Sequence, residues 1–215
     1  MYTDILFDLD GTLIKSEEGI FKSIAYALEQ MGRQNLGQDI LKKFIGPPIA
    51  ESFQTFCGLQ REQALLATQY YRQRYAQVGI FECELYPGLK PLLHKLAKAG
   101  RGVHLATAKP TVYAVRILEH FEIKPLFSVI EGVPLEVGHY EKADIVQRVL
   151  DKRGVKPQNA VMVGDRHHDI LGAKDCGVDG IGVLYGYGSR EELTQAGASH
   201  LAENAEQLDH LLFGA

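Results

Sequence analysis

The sequence predicts an α/β protein, an open and doubly wound parallel sheet into which an all-helical segment is inserted. Three observations predict it. From about residue 83 onward, short apolar runs alternate with helical periodicity, the pattern of a parallel sheet covered on both faces. Between about 15 and 82 only helical periodicity is present. Polar residues also recur where apolar runs stop, at Asp8, Thr107 and Asp165. The expected division is a discontinuous α/β core over 1–14 and 83–215, and a helical cap domain over 15–82.

Ile5-Leu6-Phe7 reads as a buried strand. It stops at Asp8-Leu9-Asp10-Gly11-Thr12, where Gly11 lets the chain turn away. Side chains two apart on an extended segment point the same way, so Asp8 and Asp10 can face one site. Ligands of parallel sheets bind just beyond the carboxyl ends of strands, where these acids fall. A helix then carries Ile20, Ile24 and Leu28 and stops at Gly32. A short one through Ile40, Leu41 and Phe44 is broken by Ile45-Gly46-Pro47-Pro48. Helices through Phe53 and Phe56, and from about Arg61 to Val78, complete the insertion. Tyr71, Arg72, Arg74 and Tyr75 read mostly as a solvated face of the last.

In the core, Pro87-Gly88 turns into a helix with Leu89, Leu92, Leu93 and Leu96, closed by Gly100. Val103 to Ala106 is a strand with Thr107 at its end. The next helix has Val112, Val115 and Leu118 on one side, and Phe127 to Ile130 is a strand. A helix from Lys142 to Arg153 buries Ile145, Val146, Val149 and Leu150. Ala160 to Val163 is a strand ending in Gly164-Asp165, followed by a short helix through Ile170 and Ala173. Gly180 to Leu184 is the next strand, and Ser189-Arg190-Glu191-Glu192 has capping-box spacing. Ser199 to Ala202 and a helix with Leu208, Leu211 and Leu212 close the pattern.

With 46% apolar residues, 215 residues suffice for one large domain or a core with a modest insertion. A formal net charge of −4 argues against a nucleic-acid polymer as partner. No apolar run reaches the length of a membrane span, and the chain enters a strand without a basic, apolar targeting segment. Cys57, Cys83 and Cys176 are widely spaced and contain no C-x-x-C, so they read as reduced thiols of a cytoplasmic protein.

Two adjacent carboxylates repel unless a proton or cation intervenes. Asp8 and Asp10 therefore suggest a hard cation such as Mg²⁺ and a division of labour between nucleophile and acid/base. The bland alternative is a turn cap at Asp8 with a solvated Asp10. The Thr107 hydroxyl and the N–H groups after it suit an anion, although taken alone the threonine reads more readily as a cap of the next helix. Lys142 opens a helix, where the dipole disfavours a cation unless an anion lies nearby. Its rivals Lys124, Lys152 and Lys156 do not precede the helix leading into the Asp165 strand. Between Asp165 and Asp169, His167 and His168 invite a zinc reading. The oxygen-rich setting favours magnesium and leaves them as positioning or packing residues.

Asp8-Leu9-Asp10-Gly11-Thr12 after an apolar strand resembles the first motif of the haloacid dehalogenase superfamily of phosphatases. Thr107, Lys142 and Gly164-Asp165 with Asp169 resemble its second, third and fourth motifs, in order along essentially the whole chain. The resemblance implies a Rossmann-like core, a C1-type helical cap and a Mg²⁺-dependent phosphomonoesterase. It gives Asp8 as nucleophile, Asp10 as acid/base, and Thr107 and Lys142 as stabilisers of the phosphoryl group. Asp8, Asp165 and the Asp10 carbonyl would hold the metal, with Asp169 acting through water or by holding Lys142. Gly11, Thr12, Ala108 and Lys109 would line the substrate site; Lys109-Pro110 resembles the T-x-K-P of phosphoglycolate phosphatase-like members. The loop around Gly46 resembles their cap loop.

Two departures stand out: Lys142 lies in Tyr140-Glu141-Lys142-Ala143-Asp144 rather than K-P, and Lys15-Ser16 stands where relatives often carry Asp-Ser. The presence of Asp10 argues against dehalogenation, since a halide needs no proton. The expected substrate is a small phosphorylated metabolite, a nucleoside 5′-monophosphate (5′-nucleotidase activity). Alternatives are phosphoglycolate, a sugar phosphate or a mutase reaction. A non-catalytic phosphate-binding regulatory module is the reading from a different class, disfavoured by the intact Asp8, Asp10, Thr107, Lys142 and Asp165. Tyr185-Gly186-Tyr187-Gly188 fits a surface loop or an intersubunit contact.

Overall fold

A computed structural model describes residues 2–135 and 140–214. In chain order the first elements are β1 (Asp4–Phe7), β2 (Ile14–Lys15), α1 (Glu17–Gln30), α2 (Gln38–Leu41), α3 (Ile49–Cys57), α4 (Arg61–Tyr75) and β3 (Glu84–Leu85). Then follow α5 (Leu89–Lys98), β4 (Gly102–Pro110), α6 (Thr111–His120), β5 (Val129–Val133), α7 (Lys142–Arg153) and β6 (Ala160–Gly164). The last are α8 (His167–Asp175), β7 (Asp179–Val183), α9 (Arg190–Ala196), β8 (His200–Ala202) and α10 (Ala205–Phe213). The described residues form two compact units, one over 2–15, 85–135 and 140–214, the other over 16–84.

The first unit is built on a six-stranded sheet in the order β5-β4-β1-β6-β7-β8, with every ladder parallel. Counting only these strands, this is the doubly wound order 3-2-1-4-5-6. Asp4–Phe7 pair with Gly102–Leu105 on one side and with Ala160–Val163 on the other. The winding reverses between β1 and β6, the two strands whose carboxyl ends run into Asp8 and Asp165. Both strands are buried at every position, as strands with helices over both faces must be. Leu6, Ala106 and Met162 pack beneath Ile145, Val146, Val149 and Leu150 of α7, which ties that helix to the centre of the sheet.

Three expectations shift. Strand β4 does not stop at Thr107 but runs to Pro110, with a register irregularity between Ala106 and Pro110. Such bulges tolerate proline and re-aim side chains. In α6 the buried face is Tyr113, Ala114, Ile117 and Leu118, while Val112 is 53% exposed. The three-residue spacing of Val112, Val115 and Leu118 drifts across a 3.6-residue helix, and the i, i+1, i+4, i+5 set stays in phase. Strand β5 starts at Val129, because Lys124–Leu126 form a 3-10 turn and Phe127 is buried outside the strand.

In the second unit α1 packs on α4 through Ile20, Ile24, Ala27 and Leu28, and α3 packs on α4 as well. Tyr71 and Tyr75 are buried and stacked at 5.2 Å rather than solvated. The Arg74 guanidinium donates to both carboxylate oxygens of Glu82 at 2.7 and 3.0 Å and to Ser23 Oγ at 3.2 Å. Helix α4 ends at Tyr75, short of Val78, and a 3-10 turn over Gly79–Phe81 follows. Among the described residues no helix is long and apolar enough to cross a membrane.

A Cβ on Gly19 of α1 would stand 1.8 Å from the Gly79 carbonyl oxygen. Elsewhere in a helix, Gly→Ala stabilises by about 0.5–1 kcal/mol. Here the backbone contact reverses the sign, and Gly19→Ala is expected to destabilise by about 1–3 kcal/mol in urea denaturation. A stabilised Gly19→Ala would show that the two segments do not touch in solution.

Candidate active site

Asp8 leaves β1 with its N–H donating to the Val163 carbonyl at 2.9 Å, so the two central strands fix its backbone. Asp165 follows β6, and Asp169 lies one helical turn further, on α8. Ligand oxygens of Asp8, Asp165 and Asp169 all lie within 4.8 Å of one another, and all three residues are buried. Burying carboxylates together raises their pKa values. Burial first, and then the charge of Asp169, push Asp8 up to about 6 against the opposing pull of Lys142. Burial, then Asp169 and Asp8, push Asp165 well above the usual carboxylate range.

Lys142, the first residue of α7, supplies the balancing cation. Its Nζ lies 2.8 Å from Asp8 Oδ1, 2.7 Å from Asp169 Oδ1 and 3.0 Å from the Ala106 carbonyl oxygen. Burial alone would lower its pKa, but Asp169 and Asp8 reverse this and hold the ammonium above its ordinary value. With all three carboxylates ionised, one ammonium would leave two negative charges within the cluster, which the raised Asp8 and Asp165 pKa values show to be costly without a further cation. A donor set of oxygens alone with that residual charge fits a hard divalent cation. His167 and His168 are not in this group.

The expected site residues do not all converge. Asp10 stands apart from the three-acid group, and both its carboxylate oxygens are held by Lys109 Nζ at 2.9 and 2.7 Å. Thr107 is buried, and its hydroxyl oxygen accepts from the Lys109 N–H at 3.2 Å across Ala108. Thr12 is fully enclosed, and its hydroxyl donates to Asp165 Oδ1 at 3.3 Å. Gly11 has φ 82°, and a Cβ there would lie 2.2 Å from Asp165 Oδ2, so its want of a side chain lets Asp165 approach. Gly46 belongs to the helical unit, exposed and at φ 107°.

Two contributors escaped the sequence reading. The loop after β7 is folded onto Asp165: the Tyr187 N–H donates to its Oδ2 at 2.8 Å, and a Cβ on Gly186 would sit 2.4 Å from its Cβ. The Tyr185 hydroxyl donates to the Thr12 carbonyl at 3.1 Å, and its ring lies against Tyr86 at 4.7 Å. The alternation of glycine and tyrosine directly after a strand was the available signal. Glu192 is the other. Ser189 caps α9 as the spacing predicts, accepting from the Glu192 N–H at 3.0 Å. The Glu192 carboxylate instead accepts from Arg166 Nε at 2.8 Å and the His167 N–H at 2.9 Å, and lies 2.7 Å from His167 Nδ1. His167 Nε2 in turn meets His168 Nδ1 at 3.1 Å, which makes both histidines parts of the scaffold under Asp165 and Asp169.

A doubly wound sheet with buried acids converging at its switch point defines a phosphoryl-handling hydrolase of the haloacid dehalogenase type. Residues 5–183 match the family described as Haloacid dehalogenase-like hydrolase, and the chain belongs to it. A protein of Pseudomonas aeruginosa named 5′-nucleotidase is 36% identical over 211 residues, covering 98% of this chain and 96% of that one. A Mycobacterium tuberculosis protein named Tyrosine-protein kinase PtkA is 35% identical over 208 residues, covering 96% of this chain and 70% of that one. The crystal structure of a predicted phosphatase from Clostridium acetobutylicum superposes with TM-score 0.92 at 38% identity, covering both chains fully. The protein is a phosphatase of this family.

Removing Lys142 leaves the acids without a cation. In metal-free buffer at pH 7.5, Lys142→Met is expected to lose about 3–5 kcal/mol of stability. The loss shrinks at pH 5, because Asp8 is then below its folded pKa of about 6 and carries a proton instead of needing a partner. Urea denaturation at the two pH values measures both, and a pH-independent loss would contradict the charge argument.

Proposed function

We propose that the enzyme is a Mg²⁺-dependent phosphomonoesterase that hydrolyses nucleoside 5′-monophosphates through an aspartyl-phosphate on Asp8. The observation that carries the chemistry is the buried Asp8–Lys142–Asp169 contact beside Asp165. Lys142 holds Asp8 Oδ1 in place, which leaves Oδ2 to attack phosphorus in line. As the Asp8 oxygen–phosphorus bond forms, the phosphorus–ester oxygen bond breaks and the departing alcohol takes a proton from Asp10. Water then attacks the same phosphorus, giving its proton to Asp10, and the phosphate leaves Asp8. Thr107 and Lys142 counter charge on the phosphoryl oxygens. Asp8, Asp165 and the Asp10 carbonyl would hold Mg²⁺, which supplies Lewis-acid stabilisation of that charge when bound. The helical unit serves as the cap that reads the rest of the substrate, with Gly46 on its reading loop. The choice of nucleotides draws on the likeness to the Pseudomonas aeruginosa 5′-nucleotidase.

Phosphate release with Mg²⁺ across nucleoside 5′-monophosphates, phosphoglycolate and sugar phosphates tests this reading. Preference for the nucleotides is expected, and preference for phosphoglycolate or a sugar phosphate would replace the substrate while keeping the chemistry. Asp8→Asn should abolish turnover while leaving the thermal transition in place; wild-type-like hydrolysis by that variant would overturn the mechanism.

Proton and metal compete for the same acids. With Asp8 titrating near 6 in the folded protein, Mg²⁺ should raise the melting temperature at pH 7.5 and do so far less at pH 5. At about a hundredfold excess over its Kd the gain corresponds to about 2.7 kcal/mol. Equal shifts at both pH values would place the ion elsewhere.

A further inference from the structure

The site contains two lysines with separate employments. Lys142 donates to Asp8 Oδ1 and the Ala106 carbonyl and is ion-paired with Asp169 Oδ1 at 2.7 Å. Lys109 has its ammonium 2.9 Å from Asp10 Oδ1 and 2.7 Å from Asp10 Oδ2, with its side chain 6% exposed and that of Asp10 17% exposed. A lysine stem is flexible, so an ammonium that bridges both oxygens orients a carboxylate only if its own backbone is fixed. Here it is. The Lys109 N–H donates to Thr107 Oγ1, and the Lys109 carbonyl lies so close to Gly132 of β5 that a Cβ there would come within 2.4 Å. The irregular end of β4 thus forms a rigid mount, and the lysine on it reaches Asp10, a carboxylate for which no Lys142 contact is seen among the described residues.

We propose that Lys109 is the positioning residue of Asp10, fixing the carboxylate's direction for proton transfer to and from the reacting oxygens. The inference rests on the phosphatase mechanism proposed above. As Asp10 gives its proton to the ester oxygen, and later takes one from water, one oxygen exchanges the proton while the other stays on the ammonium. Lys109 touches neither phosphorus nor the leaving group.

This makes the effect of Lys109 depend on the leaving group. An alkoxide departs only with a proton, whereas p-nitrophenolate is stable without one. The test compares kcat/KM, which reports the steps through phosphorylation of Asp8, for adenosine 5′-monophosphate and p-nitrophenyl phosphate with Mg²⁺ at pH 7.5. Phosphoglycolate replaces the nucleotide if the substrate panel favours it. Lys109→Met should lose about 100-fold on the alkyl ester, the lower range of what a general acid contributes. It should lose under about fivefold on the aryl ester, whose retained hydrolysis also shows that the site has folded. The alkyl loss should fall on kcat, and Lys109→Arg, which can still grip both oxygens, should recover about tenfold of it. In Asp10→Asn the further change Lys109→Met should cost nothing, because the lysine acts through the acid.

Equal losses on both esters, carried in KM, would overturn the proposal and make Lys109 a ligand of the substrate phosphate. Wild-type rates on both esters would dismiss any role for the lysine. A wild type inactive on every ester would fail the underlying mechanism instead, and this inference with it.

Discussion

The ammonium of Lys142 joins three elements: it donates to Asp8 after β1 and to the Ala106 carbonyl on β4, and it forms an ion pair with Asp169 on α8. Without that cation, three buried carboxylates would face one another across a few ångströms, and the folded chain could tolerate them only by taking up protons. The ion pair is therefore a condition for assembling the site at all. It also fixes where α7 must begin. A positive side chain at a helix N-terminus is unfavourable by itself, and the acids reverse that preference. Burial of Ile145, Val146, Val149 and Leu150 along the same helix then holds the lysine at the correct depth.

The sheet supplies the rest of the geometry. Because the winding reverses between β1 and β6, their carboxyl ends flank the switch point of the sheet, and Asp8 and Asp165 come together there. Asp165 is held from three directions, by the Thr12 hydroxyl, by the Tyr187 N–H and by the absence of a side chain on Gly11 and Gly186. Below it, Glu192 gathers Arg166 and His167 at once, and burial is outweighed by those hydrogen bonds, leaving its pKa at about 2. A carboxylate that stays charged there keeps the start of α8, and hence Asp169, in one orientation.

Much of this was legible in the sequence because it is written in local signals. The apolar strands ending at Asp8 and Asp165, the α7 repeat and the caps at Gly154 and Ser189 are each a matter of a few neighbouring residues. What was not legible depends on pairing between distant segments. The Lys109 contact with Asp10 joins residues 99 positions apart and has no local signal. The extension of β4 through Pro110 follows from its register against β5, and the two-residue strands β2 and β3 are too short to show any period. Glu192 carried a capping-box signature, yet its carboxylate goes to Arg166 and His167, partners more than twenty positions away. Tyr71 and Tyr75 were read mostly as a solvated face, yet they continue the buried stripe of Ala64, Ala67 and Thr68 along α4 and stack on each other.

The central position of β1 bears on how the chain is made. It pairs with residues that follow it at long range, 102–105 and 160–163. During translation this apolar segment waits without either neighbour until roughly a hundred further residues have emerged, and without the second until about 160 have. Non-local parallel pairing of this kind is slow to nucleate. The strand that runs into Asp8 thus precedes both of its ladder partners by long stretches of chain, so a ribosome-bound fragment ending before β6 would hold Asp8 beside an open sheet edge, a natural place for a chaperone to bind.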